Sequence, residues 1–282
     1  MSCKKSRPCG RLFFSEEVTG NVSLLYEEDA TDLEVDEAAI DVNHAPFFIR
    51  FGRIYVPFGV YNSHFISDPL TLALGETRET AALFGFGHDL FSLSAFVFNG
   101  DAEKTGEEDH IRDWGASLVV TPMQGVELGA SFLSDLADTD AELVAEYRRR
   151  VGGWSAFAIA EHGAFGASAE VLGATKSFSA ADLDADGDGH GDKPLAWNLE
   201  VSWTPVEKVE LAARYEGSDE FEGQPERQYG VDVSWNLLEH TTFSLEYLRG
   251  SFDNDFADDL AGPDGSPANR RDLVTAQIAF EF

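Results

Sequence analysis

The chain is poor in cysteine, in basic residues and in long apolar runs, and each shortage removes a class of protein. Its two cysteines, Cys3 and Cys9, both lie in the opening MSCKKSRPCGR. No disulfide framework therefore holds the body of the chain, and neither thiol is expected to have a function. Against 51 acidic residues stand only 20 Lys and Arg, a formal net charge of −31. A surface of that sign cannot neutralise phosphates, which excludes nucleic acid as a partner. No run approaches the roughly 18–20 apolar residues of a membrane-crossing helix. The richest stretch, Phe91 to Phe98, is strand-sized and interrupted by serines. The opening segment also lacks the apolar centre of a secretory signal. Residues 1–17 accordingly read as a leader from a misassigned or truncated start, and 18–282 as the structured domain. Catalytic signals are missing too: the seven histidines are scattered, with no Gly-x-Ser-x-Gly elbow and no metal-spaced pair, so an enzyme is not expected.

What is present points one way. The 22 Phe, 7 Tyr and 5 Trp are far more aromatic surface than a disordered acidic chain carries. From Val22 onward, apolar and polar residues alternate in blocks of about ten, the period of a strand. Leu195, Trp197, Leu199, Val201 and Trp203 oppose Ala196, Asn198, Glu200 and Ser202. Val209, Leu211, Ala213 and Tyr215 oppose Glu210, Ala212, Arg214 and Glu216, and Tyr229, Val231, Val233 and Trp235 oppose Gln228, Gly230, Asp232 and Ser234. Weaker alternation covers Leu33 to Val42, Pro46 to Val56, Thr80 to Gly87, Trp154 to Glu161 and Phe165 to Ala174.

Connections alternate in length as well. Asn43–Ala45, Gly87–Asp89, Thr121–Gly125, Thr204–Lys208 and Leu237–His240 are short. Longer acidic loops span Tyr61–Arg78, Asn99–His110, Asp135–Arg150, Ser177–Pro194, Gly217–Glu226 and Ser251–Arg270. Short turns at one end and long polar loops at the other are how outer-membrane barrels are built. A near-repeat agrees: SLVVTPMQGVELGASF and VSWTPVEKVELAARYE each end a strand in Thr-Pro and restart at Val-Glu-Leu. Trp203, Trp235 and Phe243 gather at the short-turn side, Tyr215 and Tyr247 nearer the loops, as aromatic girdles would. The last ten residues carry the stripe Val274, Ala276, Ile278, Phe280 and Phe282 up to the final residue. The expectation is an all-β, antiparallel transmembrane β-barrel of about fourteen strands, in the outer membrane.

Charged side chains facing lipid at mid-depth cost roughly 2–4 kcal/mol when basic, so the polar stripe must line water. The lumen set read from the alternation is Glu37, Asp41, Arg50, Glu127, Glu170, Asn198, Glu200, Glu210, Arg214, Asp232 and Glu246. Arg53, three residues from Arg50, shares its face only if a bulge intervenes, and its side stays open. The acidity has two readings: a solvated surface, as in a high-salt habitat, or a device that selects cations. Within loop 182–192, Asp184, Asp186, Asp188 and Asp192 alternate with glycines as in a calcium loop, although Leu195 stands where a bidentate Glu belongs. No cofactor is required otherwise.

Four stretches resemble the LbtU-type siderophore porins, which are distantly similar to phosphate-selective porins: SLLYEEDATDLEVDEAAIDV, FFIRFGRIYVPFGVYNSHFISDPLTLALGETRET, VGGWSAFAIAEHGAFGASAEVL and the closing strand. The Gly52-Arg53…Val56-Pro57-Phe58-Gly59 pattern is similar to phosphate-porin strands. The resemblance covers essentially everything after about Val18. It implies about sixteen strands in a full-length member, of which this chain starts inside the third. It also implies ferric-siderophore passage and a terminal aromatic, carried by Phe280 and Phe282, that the barrel-assembly machinery reads. The expected partners are outer-membrane lipid, that machinery, a small solute or ferric siderophore, and further copies of the chain. The rival expectations are a general cation-preferring porin and a non-channel surface or adhesion protein.

Overall fold

The computed structural model describes residues 9–27, 31–106, 111–253, 255–256 and 269–280. In chain order the strands begin with β1 (Cys9–Phe13), β2 (Val18–Glu27), β3 (Thr31–His44) and β4 (Phe47–Tyr55). A short helix α1 (Leu70–Gly75) then precedes β5 (Arg78–His88), β6 (Phe91–Phe98), β7 (Glu103–Lys104), β8 (Asp113–Met123) and β9 (Val126–Leu133). Next come β10 (Glu146–Tyr147), β11 (Gly153–His162), β12 (Phe165–Ala174), β13 (Leu195–Val206) and β14 (Val209–Asp219). The chain continues through β15 (Arg227–Leu238) and β16 (Thr241–Ser251) to β17 (Arg270–Phe280).

All but β7 and β10 form one 15-stranded sheet in which every neighbour in space is a neighbour in sequence, with β1 and β17 at its two edges. Every pairing in that sheet is antiparallel, so each strand returns beside the one before it. The extra strand relative to the expected fourteen or so is β1. It lies inside the stretch read as a leader, and it pairs from Cys9–Ser23 to Phe13–Thr19. Its five residues are too short to show a period of two, which is why the sequence hides it.

The sheet is inverted relative to a water-soluble core. Along the middle of β15, Tyr229, Val231, Val233 and Trp235 are exposed, while Gln228 and Asp232 are only 5% and 2% exposed. Such a pattern is stable where the outer solvent is hydrocarbon and all backbone groups are paired strand to strand. Among the described residues no helix is long and apolar enough to cross a membrane.

Short turns and long connections alternate as the sequence predicts. The two copies of the near-repeat are structurally equivalent: the register shifts between Val120 and Met123 in one and between Trp203 and Val206 in the other. Each shift contains the proline, Pro122 or Pro205. A bulge leaves a residue out of the ladder, so the missing proline N–H costs nothing there. The strands run further into these turns than expected, with β8 reaching Met123 and β13 reaching Val206.

Candidate functional site

The connection between β4 and β5, residues 56–77, does not extend into solvent. It folds back into the sheet and carries α1 with it. Sequence places Tyr61–Arg78 among the longer acidic loops, but only Asp68 and Glu76 are acidic in residues 56–77, and Phe58 and Leu74 are fully buried. Val56, Phe58, Leu70 and Leu74 share one apolar cluster with Leu133 of β9, Leu172 of β12 and Ala196 of β13. A single segment touching strands so far apart in the sheet requires the sheet to curl around it. Gly75 marks the closest approach, since a Cβ there would lie 2.5 Å from Tyr61 Oη and 2.8 Å from Leu172 Cδ2.

The segment has little regular structure of its own, so its amides need acceptors, and the barrel wall supplies carboxylates. Glu170 on β12 accepts from the amides of Val60 (2.7 Å) and Tyr61 (3.0 Å) and from the Thr71 hydroxyl (3.0 Å). Glu200 on β13 accepts from the His64 amide at 2.8 Å, and Glu216 on β14 from the Leu70 amide at 2.8 Å. Glu246 on β16 takes both the amide (2.8 Å) and the hydroxyl (2.6 Å) of Ser67. Bonds to an ionised acceptor contribute roughly 1.5–3 kcal/mol each, about twice a neutral pair.

Two of these four buried carboxylates meet a counter-charge, Arg214 on β14. Its Nε lies 2.8 Å from Glu200 and its Nη1 3.4 Å from Glu216. The same guanidinium donates to the Ser67 carbonyl at 2.9 Å and to the Ser63 hydroxyl, and stacks 4.3 Å from the Phe65 ring centre. Arg214 therefore holds the wall and the inserted segment together. Asn198 and Gln228 complete the lattice by donating to Glu200 and Glu216.

The expected lumen set divides by burial. Asn198, Glu200, Arg214, Asp232 and Glu246 are buried, with Glu170, on the wall that faces the inserted segment. Glu37, Asp41, Glu127 and Glu210 are only half-buried. Arg50 on β4 spans Glu37 (3.4 Å) and Asp41 (3.3 Å). Arg53 is outward and exposed, as a separation of three without a bulge between the two arginines dictates. The set missed Asp36, which is 1% exposed and binds Ser23, Tyr55 and Arg78. A register shift opposite Ser23 and Leu24 turns both Asp36 and Glu37 inward, and a strict alternation cannot show that. Glu216 carries its own signal, since it alternates with Arg214.

Beneath the inserted segment, toward the short turns, lies a cavity of about 380 Å³ lined by Ser63, His64, Ser202, Thr204 and Glu210. His64 Nδ1 sits 3.0 Å from Glu210 Oε1. Its polar lining of hydroxyls, an imidazole and the carboxylates of Glu161 and Glu210 suits water and cations, with Ile159 and Phe165 as apolar neighbours.

Two acidic groups lie in the long connections. In the glycine-rich loop, oxygens of Asp184, Asp186 and Asp188 come within 4.8 Å of one another. Backbone amides already use much of this set: Gly189 bonds Asp184, Asp188 bonds Asp186, and Ala185 bonds the buried Asp192 at 2.8 Å. Burial raises the Asp192 carboxyl, with Asp186, Glu220 and Asp184 adding to the effect. The second group, Asp113, Asp135 and Asp138, is wholly buried and has no motif in the sequence. Phe280 stands at the outward, exposed end of β17, while Phe282 and Cys3 lie outside the described residues.

An inside-out antiparallel sheet, curled around a segment tied to a polar wall, defines the class: a β-barrel with the fold of outer-membrane porin channels. Solved structures agree in fold. The outer-membrane channel DcaP of Acinetobacter baumannii superposes with a TM-score of 0.65 at 14% identity, over 95% of this chain and 82% of that one. OmpF of Salmonella typhi gives 0.70 at 11% identity, over 97% and 88%. An anion-selective porin of Comamonas acidovorans gives 0.67 at 10%, over 97% and 88%. In sequence, the chain is similar to a UPF0422 protein of Coxiella burnetii, 26% identical over 82% of this chain, and to one of Legionella pneumophila, 24% identical over 95%. It spans 54% and 59% of the length of those relatives. No family profile matches the chain.

Proposed function

We propose that the protein is a passive outer-membrane channel that favours cations over anions. The observation that carries this reading is the division of labour among inner-face charges. Glu170, Glu200, Glu216 and Glu246 hold the inserted segment in place, while Glu127 and Glu210 are half-buried beside the passage, Glu210 also meeting His64 of the segment. Arg214 is committed to the segment and Arg50 to Glu37 and Asp41. The potential along the remaining path is therefore negative, which concentrates cations and repels anions. The inserted segment narrows the path and sets which solutes fit.

The resemblance to siderophore porins supports ferric siderophore as cargo. The charge of the lumen adds a condition: a neutral or cationic complex passes more readily than an anionic one. Conductance of the full-length protein in a planar bilayer tests both levels. Channels whose reversal potential in a salt gradient is cationic, and which an iron-loaded siderophore blocks while its iron-free form does not, support the whole reading. Cation-selective channels indifferent to both forms leave a general porin. No conductance at all sinks the channel.

A further inference from the structure

The long-loop end of the barrel holds a charge arrangement that the channel does not use. Asp113 opens β8, and Asp135 and Asp138 lie on the connection after β9. A carboxylate oxygen from each lies within 4.8 Å of the other two. All three side chains are shut off from solvent; Asp138 is 4% exposed and Asp135 fully buried. One guanidinium reaches them: Arg150 lies 2.9 Å from Asp113 and 3.3 Å from Asp135. Three carboxylates against one cation leave excess negative charge in a dry place, an unfavourable arrangement unless something else balances it.

Asp138 shows where the imbalance falls. Its Oδ1 accepts from the Ala102 amide at 3.1 Å, but its Oδ2 is buried with no hydrogen-bond partner. Gly100 backs the carboxyl so closely that a Cβ there would lie 2.1 Å from it. The unused oxygen and the like-charged neighbours together describe a socket for positive charge.

We propose that Asp113, Asp135 and Asp138 form a binding site for a divalent cation, calcium by its donor set. All three donors are hard carboxylate oxygens, two of them on the irregular connection after β9. Calcium accepts such flexible, oxygen-rich shells, whereas magnesium demands a stricter octahedron. The ion would tie three segments: the start of β8, the connection after β9, and the connection after β6 that carries Gly100 and Ala102. The parallel pairing of β7 with β10 already joins the last two, so the cation completes a clamp over the barrel mouth. The Asp184–Asp188 loop is the weaker rival, since it is half-exposed and its carboxylates are engaged by its own amides.

The test uses the full-length protein in detergent micelles, with terbium as probe and calcium as competitor. Trp114 and Tyr147, beside the site, serve as antennae for terbium emission. Asp138→Asn keeps the shape, removes the charge and is compared with Asp186→Asn in the rival loop. The expected result is that D138N weakens terbium and calcium binding by about tenfold or more and abolishes the calcium-dependent rise in thermal midpoint, while D186N preserves both. In chelator, D138N should resist proteolysis between Asp135 and Arg150 at least as well as the parent, because it removes an unbalanced charge. That control separates a lost ligand from a lost fold. Binding and stabilisation unchanged in D138N, or lost only in D186N, would overturn the proposal.

Discussion

Two arginines do the same job in two halves of the lumen, with different results. Arg214 bridges Glu200 and Glu216, and all three side chains are 0% exposed. Arg50 bridges Glu37 and Asp41, with side chains 12%, 18% and 28% exposed. In both, a guanidinium spans two carboxylates: one on its own strand and one on the neighbouring strand for Arg214, both on the neighbouring strand for Arg50. The difference is the segment 56–77, which covers the first trio and not the second. Under that cover water is excluded, so charges there interact strongly and tolerate no missing partner. Facing the lumen, charges are screened and act at a distance on what passes. One chemical motif thus serves as glue on one wall and as a field on the other.

The sharpest way to break this comparison is to remove each arginine in turn. Arg214→Met leaves Glu200 and Glu216 buried without a counter-charge and deprives the Ser67 carbonyl of its donor. Losing one partner of a buried pair costs about 3–5 kcal/mol. The inserted segment should come free, giving larger, noisier channels in the bilayer and rapid protease cleavage between Tyr61 and Thr77. Arg50→Met should cost only about 1 kcal/mol, leave the segment resistant to protease and raise cation preference. Equal damage from both would remove the distinction between covered and open walls.

Next in size is Glu170→Gln. Glu170 accepts three bonds from the segment, two of them backbone amides. The amide side chain offers one oxygen and no charge in place of two charged oxygens, a loss of about 1.5–3 kcal/mol. Brief openings to a larger conductance, without loss of the folded barrel on heat-modifiability gels, are the expected outcome. Gly75→Ala probes the same docking by shape alone. Its new methyl must displace Tyr61 or Leu172, an overpacking cost of about 1–3 kcal/mol, read as a lower thermal midpoint.

These effects show what a single sequence can and cannot disclose. The sheet was legible because lipid outside and water inside force a period of two on every long strand. The same period points Arg50 inward but leaves the side of Arg53 open, and the structure exposes Arg53. Two features broke the period and stayed hidden. Asp36 turns inward only because the register slips opposite Ser23 and Leu24. The inward course of residues 56–77 depends on acceptors more than a hundred positions away, as when Glu246 receives Ser67, and no local pattern encodes such a partner. The buried trio Asp113, Asp135 and Asp138 was illegible for the same reason, whereas the Asp184–Asp192 loop advertised itself through spacing alone.

The smallest effect is also the most discriminating. Glu127 and Glu210 occupy matching places in the two copies of the Thr-Pro repeat, one residue into the strand after a short turn. Both are half-buried, so their charge reaches passing ions through water. A unit charge about 8 Å from an ion in water is worth about 0.5 kcal/mol, a factor of about two in relative permeability. Glu127→Gln and Glu210→Gln should each lower the cation-to-anion ratio by about that factor, read from the reversal potential in a potassium chloride gradient, and the effect should shrink as salt rises. Glu200→Gln is the contrast: its charge is already matched by Arg214, and its oxygens by Arg214, Asn198 and the His64 amide. It should disturb the inserted segment first and selectivity only through that. Selectivity that responded to Glu200 with the segment still docked, and not to Glu127 or Glu210, would place the field on the covered wall.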